Sequence, residues 1–388
     1  MPVPRHDWLE RPLHWLASSN IQSLHPPHRG GVRAWIDERS GEPAYWYPEI
    51  TGYFVTLCVK LVRSGREEPW ASRARLAAEW LECSALDESG AVLGRIYDDE
   101  RDARADSRSR LHGRTYLFNC GTVGLGFLAL HELTAERRWL DAAGRVARAC
   151  LEMFAAGGRF AAGYDLRRRI PLFGDKWSEH FGAFQLKASM FLGELGRQSG
   201  DRELLRFAEH ALESTLALQE EDGRFPTDAS GLHTHLHPHF YATEGLLWLA
   251  RRQGRHDLIR RCRMAVDWAL RRCLDRADPI QEWSANGTPP LHGVRSDTLL
   301  QALRAREMLL WIDPREEPAE TRAAWARVEA ICDGLRLPSG AMAYGRDEHG
   351  DKQAHANSWC TFFAIDLGLT RESRATAQRC PTSEFLII

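Results

Sequence analysis

Six places along the chain gather polar and aromatic side chains just ahead of, or at the start of, an apolar run. They are Trp46, Glu49, Thr51 and Tyr53; Arg114, Tyr116 and Asn119; Lys176, Trp177, Glu179 and His180; His235, His237, His239, Tyr241 and Glu244; Arg295, Asp297 and Gln301; and His355, Asn357 and Trp359. Among these, Glu49, Glu179, Glu244 and Asp297 carry the carboxyl groups that acid–base chemistry needs. A pair of carboxyls protonates a leaving oxygen and activates water, or attacks directly, provided burial raises one proton affinity and leaves the other group ionised. The competing reading is structural: an acidic residue in a first helical turn stabilises the helix by about 0.3–1 kcal/mol without doing chemistry. Glu179 fits that reading best, while Asp297, two residues after Arg295, is also placed for a salt bridge that orders its loop. The catalytic candidates on these grounds are Glu49, Asp297 and Glu244, together with His239.

Indoles beside short polar side chains suit a saccharide. The apolar face of a pyranose stacks on an indole, and its hydroxyls need directional partners. On that basis the expected substrate contacts are Trp46, Tyr53, Arg114, Asn119, Trp177, His180, His237, Tyr241, Arg295, Gln301, His355, Asn357 and Trp359. The run His233-Thr234-His235-Leu236-His237-Pro238-His239 alternates, so on an extended segment its histidines would share one face. Zinc at His235, His237 and His239 is an option, but the spacing matches no established metal pattern and a proline interrupts it. The expectation is no metal and no cofactor, with His237 and His239 facing the substrate as contacts or bases.

These residues need a scaffold, and Tyr45-Trp46-Tyr47-Pro48-Glu49-Ile50-Thr51-Gly52-Tyr53 shows its plan. Pro48 suits the first turn of a helix, and residues 50–61 are apolar nearly all round, the mark of a buried helix. Similar apolar helices are expected at 116–133, 178–195, 240–252, 296–311 and 357–368, and amphipathic ones at 6–18, 70–84, 136–155, 201–219, 256–274 and 317–335. A recurrence of about 60 residues is the signature of a repeat whose unit is here a two-helix hairpin. Connections out of the apolar helices are short. Those leading into them are long and hold strand-like pieces at 30–37, 158–160, 223–225 and 340–344. Gly121-Thr122-Val123-Gly124-Leu125-Gly126 reads as close helix packing rather than a dinucleotide loop. Six hairpins close into a double-walled ring, and parallel inner helices bring their N-termini and the long loops to one mouth that favours negative charge. The expected fold is all-α, one domain over 1–375, with a tail at 376–388 that ends Phe385-Leu386-Ile387-Ile388.

Composition narrows the partners. Basic and acidic residues number 51 and 53, and all but four of the basic ones are arginine, so nothing marks a nucleic-acid surface. No stretch reaches membrane-span length, and the N-terminus lacks a secretory layout, so a cytoplasmic protein is expected. Nine cysteines at irregular spacing, without a C-x-x-C pair, read as reduced core thiols.

With these residues in view, the chain resembles the six-hairpin (α/α)6-barrel group of carbohydrate-active proteins: glycosidases, polysaccharide lyases and N-acylglucosamine 2-epimerase-like isomerases. Tyr47 to Tyr53, Ser296-Asp297 with Gln301, and Asn357-Ser358-Trp359 look like motifs of bacterial proteins associated with polysaccharide biosynthesis. The resemblance implies a saccharide site at the mouth, with Glu49 and Asp297 as acid and base and Asn357, Arg295 and Trp359 in binding. The chain departs from the 2-epimerase pattern in lacking paired histidine motifs on its late inner helices, with His180 and His239 as the residues able to do equivalent work. Three functions follow: a glycoside hydrolase using Glu49 and Asp297; an epimerase or lyase with His239, His180 or Tyr53 as base and Arg114 and Arg295 holding an acidic group; or a non-catalytic glycan-binding or scaffold protein.

Overall fold

The computed structural model describes residues 7–99, 113–154, 161–174, 177–347 and 349–376. Lys176, the strand expected at 158–160 and the tail beyond Thr376 lie outside the described residues.

The apolar runs form the inner wall: α2 (Pro48–Arg63), α4 (Leu117–Thr134), α6 (Gln185–Ser199), α8 (Leu236–Gln253), α10 (Ser296–Ile312) and α12 (Ser358–Ala375). The amphipathic runs form the outer wall: α1 (Glu10–Ser18), α3 (Trp70–Trp80), α5 (Arg137–Phe154), α7 (Arg202–Leu218), α9 (His256–Ala269) and α11 (Ala319–Asp333). Each inner helix packs on the next, and α12 returns to α2, which closes the ring. Five outer helices follow an inner helix and fold back on it. The sixth, α1, covers α12, so the first helix of the chain completes the last hairpin.

Inner helices touch neighbours on every side, which is why they are apolar all round. In α4 every residue from Leu117 to Leu130 is buried. A Cβ on Gly121 would stand 2.5 Å from the Ala188 carbonyl oxygen, and one on Gly52 would stand 2.9 Å from Val123 Cα. Glycine at these positions lets α2, α4 and α6 approach backbone to backbone, as the glycine pattern predicts. The outer helix α7 begins on a polar cap where it meets water: Asp201 accepts from the Glu203 and Leu204 amides, at 2.8 and 3.3 Å.

Three small antiparallel sheets stand over the N-terminal ends of the inner helices. β1 (Trp35–Asp37) pairs with β9 (His355–Asn357), which pairs with β8 (Met342–Ala343). β2 (Arg114–Tyr116), β3 (Gly163–Asp165) and β4 (Ile170–Leu172) form the second sheet; β5 (His233–His235), β6 (Ile280–Ser284) and β7 (Leu291–His292) form the third. β2, β5 and β9 run without a break into α4, α8 and α12, so every second inner helix is led in by a sheet.

Two expectations fail locally. The third inner helix begins at Gln185, not near 178. Phe184 packs edge-on against Trp177 and His180, both at 5.5 Å between ring centroids, and a short 3-10 turn (Trp177–Glu179) precedes the helix. Gly223-Arg224-Phe225 is not a strand. Arg224 is buried there and donates to Leu232 O at 3.2 Å, Gly231 O at 2.9 Å and Thr234 Oγ1 at 3.1 Å, pinning a loop. The eight described cysteines are free thiols, and all but Cys83 are buried.

Candidate functional site

A cavity of about 430 Å³ opens at the N-terminal ends of the inner helices and draws lining from all six: Glu49, Asn119, Gln185, His237 with Tyr241, Asp297, and Trp359. β2 adds Tyr116, the 3-10 turn adds Trp177, and loops add Tyr45, Tyr47, Arg95, Arg295 and Tyr344. Such a concave, aromatic wall with a few convergent polar groups is the usual form of a small-molecule site.

Glu49 follows Pro48 in the first turn of α2. The Tyr47 hydroxyl donates to its Oε2 at 3.0 Å. Burial pushes the Glu49 carboxyl up to about 7, against the opposing pull of the Tyr47 hydrogen bond, Lys187 and Arg95. It therefore exchanges a proton near neutrality, the range in which a general acid or base works best.

Asp297 is the opposite case. Burial alone would raise its carboxyl, but the Arg295 guanidinium and the amide of Thr298 hold it well below the usual range. Arg295 grips it as a fork, with Nε 3.1 Å from Oδ1 and Nη2 bonded to Oδ2. The Thr298 amide donates to Oδ1 at 2.8 Å and the Trp359 indole to Oδ2 at 3.4 Å. Arg295 lies over the Tyr344 ring at 4.7 Å.

The tautomer of His237 follows from its neighbours. Gln301 donates through Nε2 to Glu244 Oε2 at 3.4 Å, so its carbonyl oxygen is the atom 2.7 Å from His237 Nδ1. Nδ1 therefore carries the proton and also leans on Asp297 Oδ2, 3.5 Å away. Nε2 is left as the basic nitrogen. Burial lowers the His237 pKa to about 4, so the ring is neutral in ordinary buffers.

Solved structures share this architecture almost end to end. A sugar epimerase from a ruminal bacterium matches with a TM-score of 0.72 at 11% identity, over 93% of this chain and 95% of that one. Cellobiose 2-epimerase from Bacillus thermoamylovorans matches at 0.71 and 12% identity, over 93% and 95%. An unsaturated glucuronyl hydrolase specific for heparin matches at 0.62 and 11% identity, over 95% and 96%. The chain is an (α/α)6 toroid. No family model and no curated protein matches the sequence.

Beneath the cavity the toroid holds a chain of buried ion pairs. Lys187 Nζ meets Glu244 Oε2 at 2.8 Å; Arg304 bridges Glu244 Oε1 at 3.1 Å and Asp366 Oδ2 at 2.7 Å; Lys60 Nζ meets Asp366 Oδ1 at 2.9 Å. These five side chains come from α6, α8, α10, α12 and α2, and all are 1–2% exposed. Only the glycine-rich α4 contributes none of these five. Sequence reading missed Lys60, Lys187, Arg304 and Asp366, yet the signal was present: a charge inside a helix that is apolar all round has to find a buried partner. Tyr45, Arg95 and Tyr344 were missed because they stand in loops without periodicity.

Several predicted residues lie elsewhere in the toroid. His239 was expected to face the substrate, but it sits against α9. Its Nδ1 accepts from the Phe225 amide at 3.2 Å, its Nε2 donates to Ala265 O at 3.1 Å, and its ring packs against Trp268. The alternation of the histidine run ends at His235, because α8 begins at Leu236 and helical residues two apart diverge by about 200°. His235 instead caps α8, its Nδ1 accepting from the His237 amide at 3.3 Å. The three histidines of the zinc option thus take three directions. Among the described residues no group of three or more His, Cys, Asp or Glu is arranged to hold a metal.

Glu244 and Tyr53 are below the floor rather than at the mouth, and Gln301 stands behind His237. The Trp46 indole donates to Asp98 at 2.7 Å and carries the Arg33 guanidinium on its face, which orders a loop. Arg114 faces Glu179 at 3.7 Å, and His355 stacks on Trp35. Asn357 caps α12 by accepting from the Cys360 amide at 3.0 Å. His180 packs on Phe184 outside the cavity lining. The residues that do converge are Glu49, Asn119, Trp177, His237, Tyr241, Arg295, Asp297 and Trp359.

Proposed function

We propose that the protein is a carbohydrate-active enzyme that moves a proton on a sugar held at the toroid mouth, with Glu49 and His237 as the exchanging groups. One observation carries this reading: a carboxyl that titrates near 7 shares its cavity with a neutral imidazole whose Nε2 is unprotonated. Trp177 and Trp359 supply stacking faces, and Asn119 and Gln185 supply hydroxyl partners. In an epimerase or isomerase reaction, His237 Nε2 takes the proton from the carbon next to the sugar carbonyl. The electron pair moves to the carbonyl oxygen, where the Arg295 guanidinium stabilises the enediolate; protonated Glu49 then delivers its proton to the opposite face of the same carbon to give the epimer, or His237 returns its proton to the former carbonyl carbon while Glu49 relays the neighbouring hydroxyl proton to the former carbonyl oxygen to give the isomer. The sugar epimerases of the same fold support this outcome.

Hydrolysis is the second reading, favoured by the opposite displacements of Glu49 and Asp297: a protonated acid beside a permanent carboxylate. Against it, Asp297 spends its oxygens on Arg295, Thr298 and Trp359, which suits orienting Arg295 and His237 better than attacking a sugar carbon. The reading includes one domain over 1–375, a cytoplasmic location, a saccharide as partner and no cofactor. No described helix is long and apolar enough to cross a membrane.

Proton NMR of the protein with aldoses, disaccharides and oligosaccharides in deuterated water tests it. Solvent deuterium at the carbon beside the anomeric centre, absent with Glu49→Gln and His237→Asn, is the expected result. New reducing ends without ring deuterium would transfer the assignment to hydrolysis with Asp297. Sugars that bind yet remain chemically unchanged across the panel would remove the catalytic reading.

A further inference from the structure

We propose that Lys187 is a positioning residue for Glu49 and His237, a fixed buried cation that serves as counter-charge to negative charge arising in the cavity above it. This rests on the proton-transfer reading of those two groups.

Lys187 stands in the first turn of α6, two residues after the cavity-lining Gln185. Its Nζ is held by Glu244 at 2.8 Å and lies 4.5 Å from the centre of the Tyr241 ring and 5.0 Å from that of Tyr53. Tyr241 lines the cavity, so the ammonium sits one aromatic ring beneath the floor. Aromatic faces favour a cation in this position while keeping water away from it.

Charge along the ion-pair chain is uneven. Lys60 and Arg304 bracket Asp366, and Arg304 and Lys187 bracket Glu244, which sets three cations against two carboxylates. A buried cation at the end of such a chain is strongly stabilised by an anion nearby. Such an anion arises just above the floor, as ionised Glu49 or as an oxyanion on the bound sugar. Glu49 accepts from the Tyr47 hydroxyl, feels the positive charges of Arg95 and Lys187, and is coupled to the phenols of Tyr53 and Tyr241. Arg95 is tied to the loop by stacking on Tyr45 at 3.9 Å, and Lys187 is the cation tied to the toroid core. Lys187 also acts on both members of the pair, favouring ionised Glu49 and neutral His237. Burial brings its own pKa down to about 8, partly restored by Glu244, so it remains mostly charged at neutral pH.

The test reads Glu49 directly and needs no turnover. In infrared pH-difference spectra, the protonated carboxyl band that disappears in Glu49→Gln is followed in Lys187→Met, Lys187→Arg and Glu244→Gln. Lys187→Met is expected to raise the Glu49 midpoint by about one pH unit or more, since an opposite charge nearby favours the ionised form. Lys187→Arg holds the wild-type midpoint. Glu244→Gln, which removes the anion that sustains the Lys187 charge, raises it as well. General loosening of the fold would admit water and lower the midpoint, so an upward shift in Lys187→Met that Lys187→Arg abolishes is not its product, and Glu244→Gln reads the same sign if Lys187→Met fails to fold. A midpoint that is unmoved or lowered in Lys187→Met and Glu244→Gln overturns the proposal. Sugar inert in every assay with the midpoints moving as stated would remove the enzymatic reading and leave the electrostatic one standing.

Discussion

Replacing Glu49 by glutamine should stabilise the protein, and increasingly so as the pH rises. A carboxyl that titrates near 4.5 in the unfolded chain is pushed up to about 7 by burial in the native cavity. The native state therefore holds the proton more tightly than the unfolded state does. Its contribution to stability is fully present below about 4.5 and is lost as the pH climbs through about 7. At 1.36 kcal/mol for each pH unit of that interval, the loss is about 3 kcal/mol. Glutamine has nothing to ionise, and its carbonyl oxygen can still accept from the Tyr47 hydroxyl. Urea unfolding followed by tryptophan fluorescence at intervals from pH 5 to pH 8 should give nearly coincident midpoints at the acid end, with the variant's advantage approaching about 3 kcal/mol at the alkaline end. A difference between the two proteins that is flat across this range would refute the assignment of Glu49 as a group titrating near neutrality, and with it the proton-transfer chemistry built on it.

Asp297→Asn should behave in the opposite way. Removing the counter-charge from buried Arg295 costs about 3–5 kcal/mol by urea unfolding. Because Asp297 is held ionised well below the usual range, its contribution is present above the unfolded value and lost only in strong acid, so the penalty should be constant between pH 6 and pH 8. A penalty that shrinks across that interval would contradict the ion-pair geometry. Gly121→Ala should lower the melting temperature sharply, since its Cβ would stand 2.5 Å from the Ala188 carbonyl oxygen, whereas Gly144→Ala, whose nearest neighbour is Arg148 Nη1 at 3.6 Å, should be neutral or stabilising by up to about 1 kcal/mol. Equal melting temperatures for the two alanine variants would mean that α4 and α6 have room to separate.

The ring was legible because burial on every side leaves an apolar pattern that local sequence records. Five of the six inner helices begin within a few residues of where their patterns place them. The exception, α6, is preceded by aromatic contacts among Trp177, His180 and Phe184 that no periodicity encodes. The histidine run shows a different limit. Two-residue alternation has meaning only while the chain is extended, and the change to helix at Leu236 sends His237 to the cavity and His239 to the outer wall. Glu49 and Asp297 were visible as types and positions, but their opposite proton affinities come from Tyr47, Arg295 and a shared lack of water. The ion-pair chain was least visible as a set of partners, because Lys60 and Asp366 are 306 residues apart. What the sequence did record was each charge alone within an apolar run.

The alternation of sheet-led and sheet-free inner helices divides labour around the mouth. Glu49, Arg295 and Asp297 belong to helices that no sheet leads in, while Asn119, His237, Tyr241 and Trp359 follow directly from β2, β5 and β9. The ring thus has a threefold rhythm: helices led in by a continuous sheet carry much of the cavity's aromatic and amide wall, while α2 and α10, whose entries are held by single β-bridges from Trp46 to Ile96 and from Arg295 to Gly345, carry its carboxylates. Substitutions in β2, β5 and β9 should therefore reshape the wall of the cavity while leaving Glu49 and Asp297 where they are.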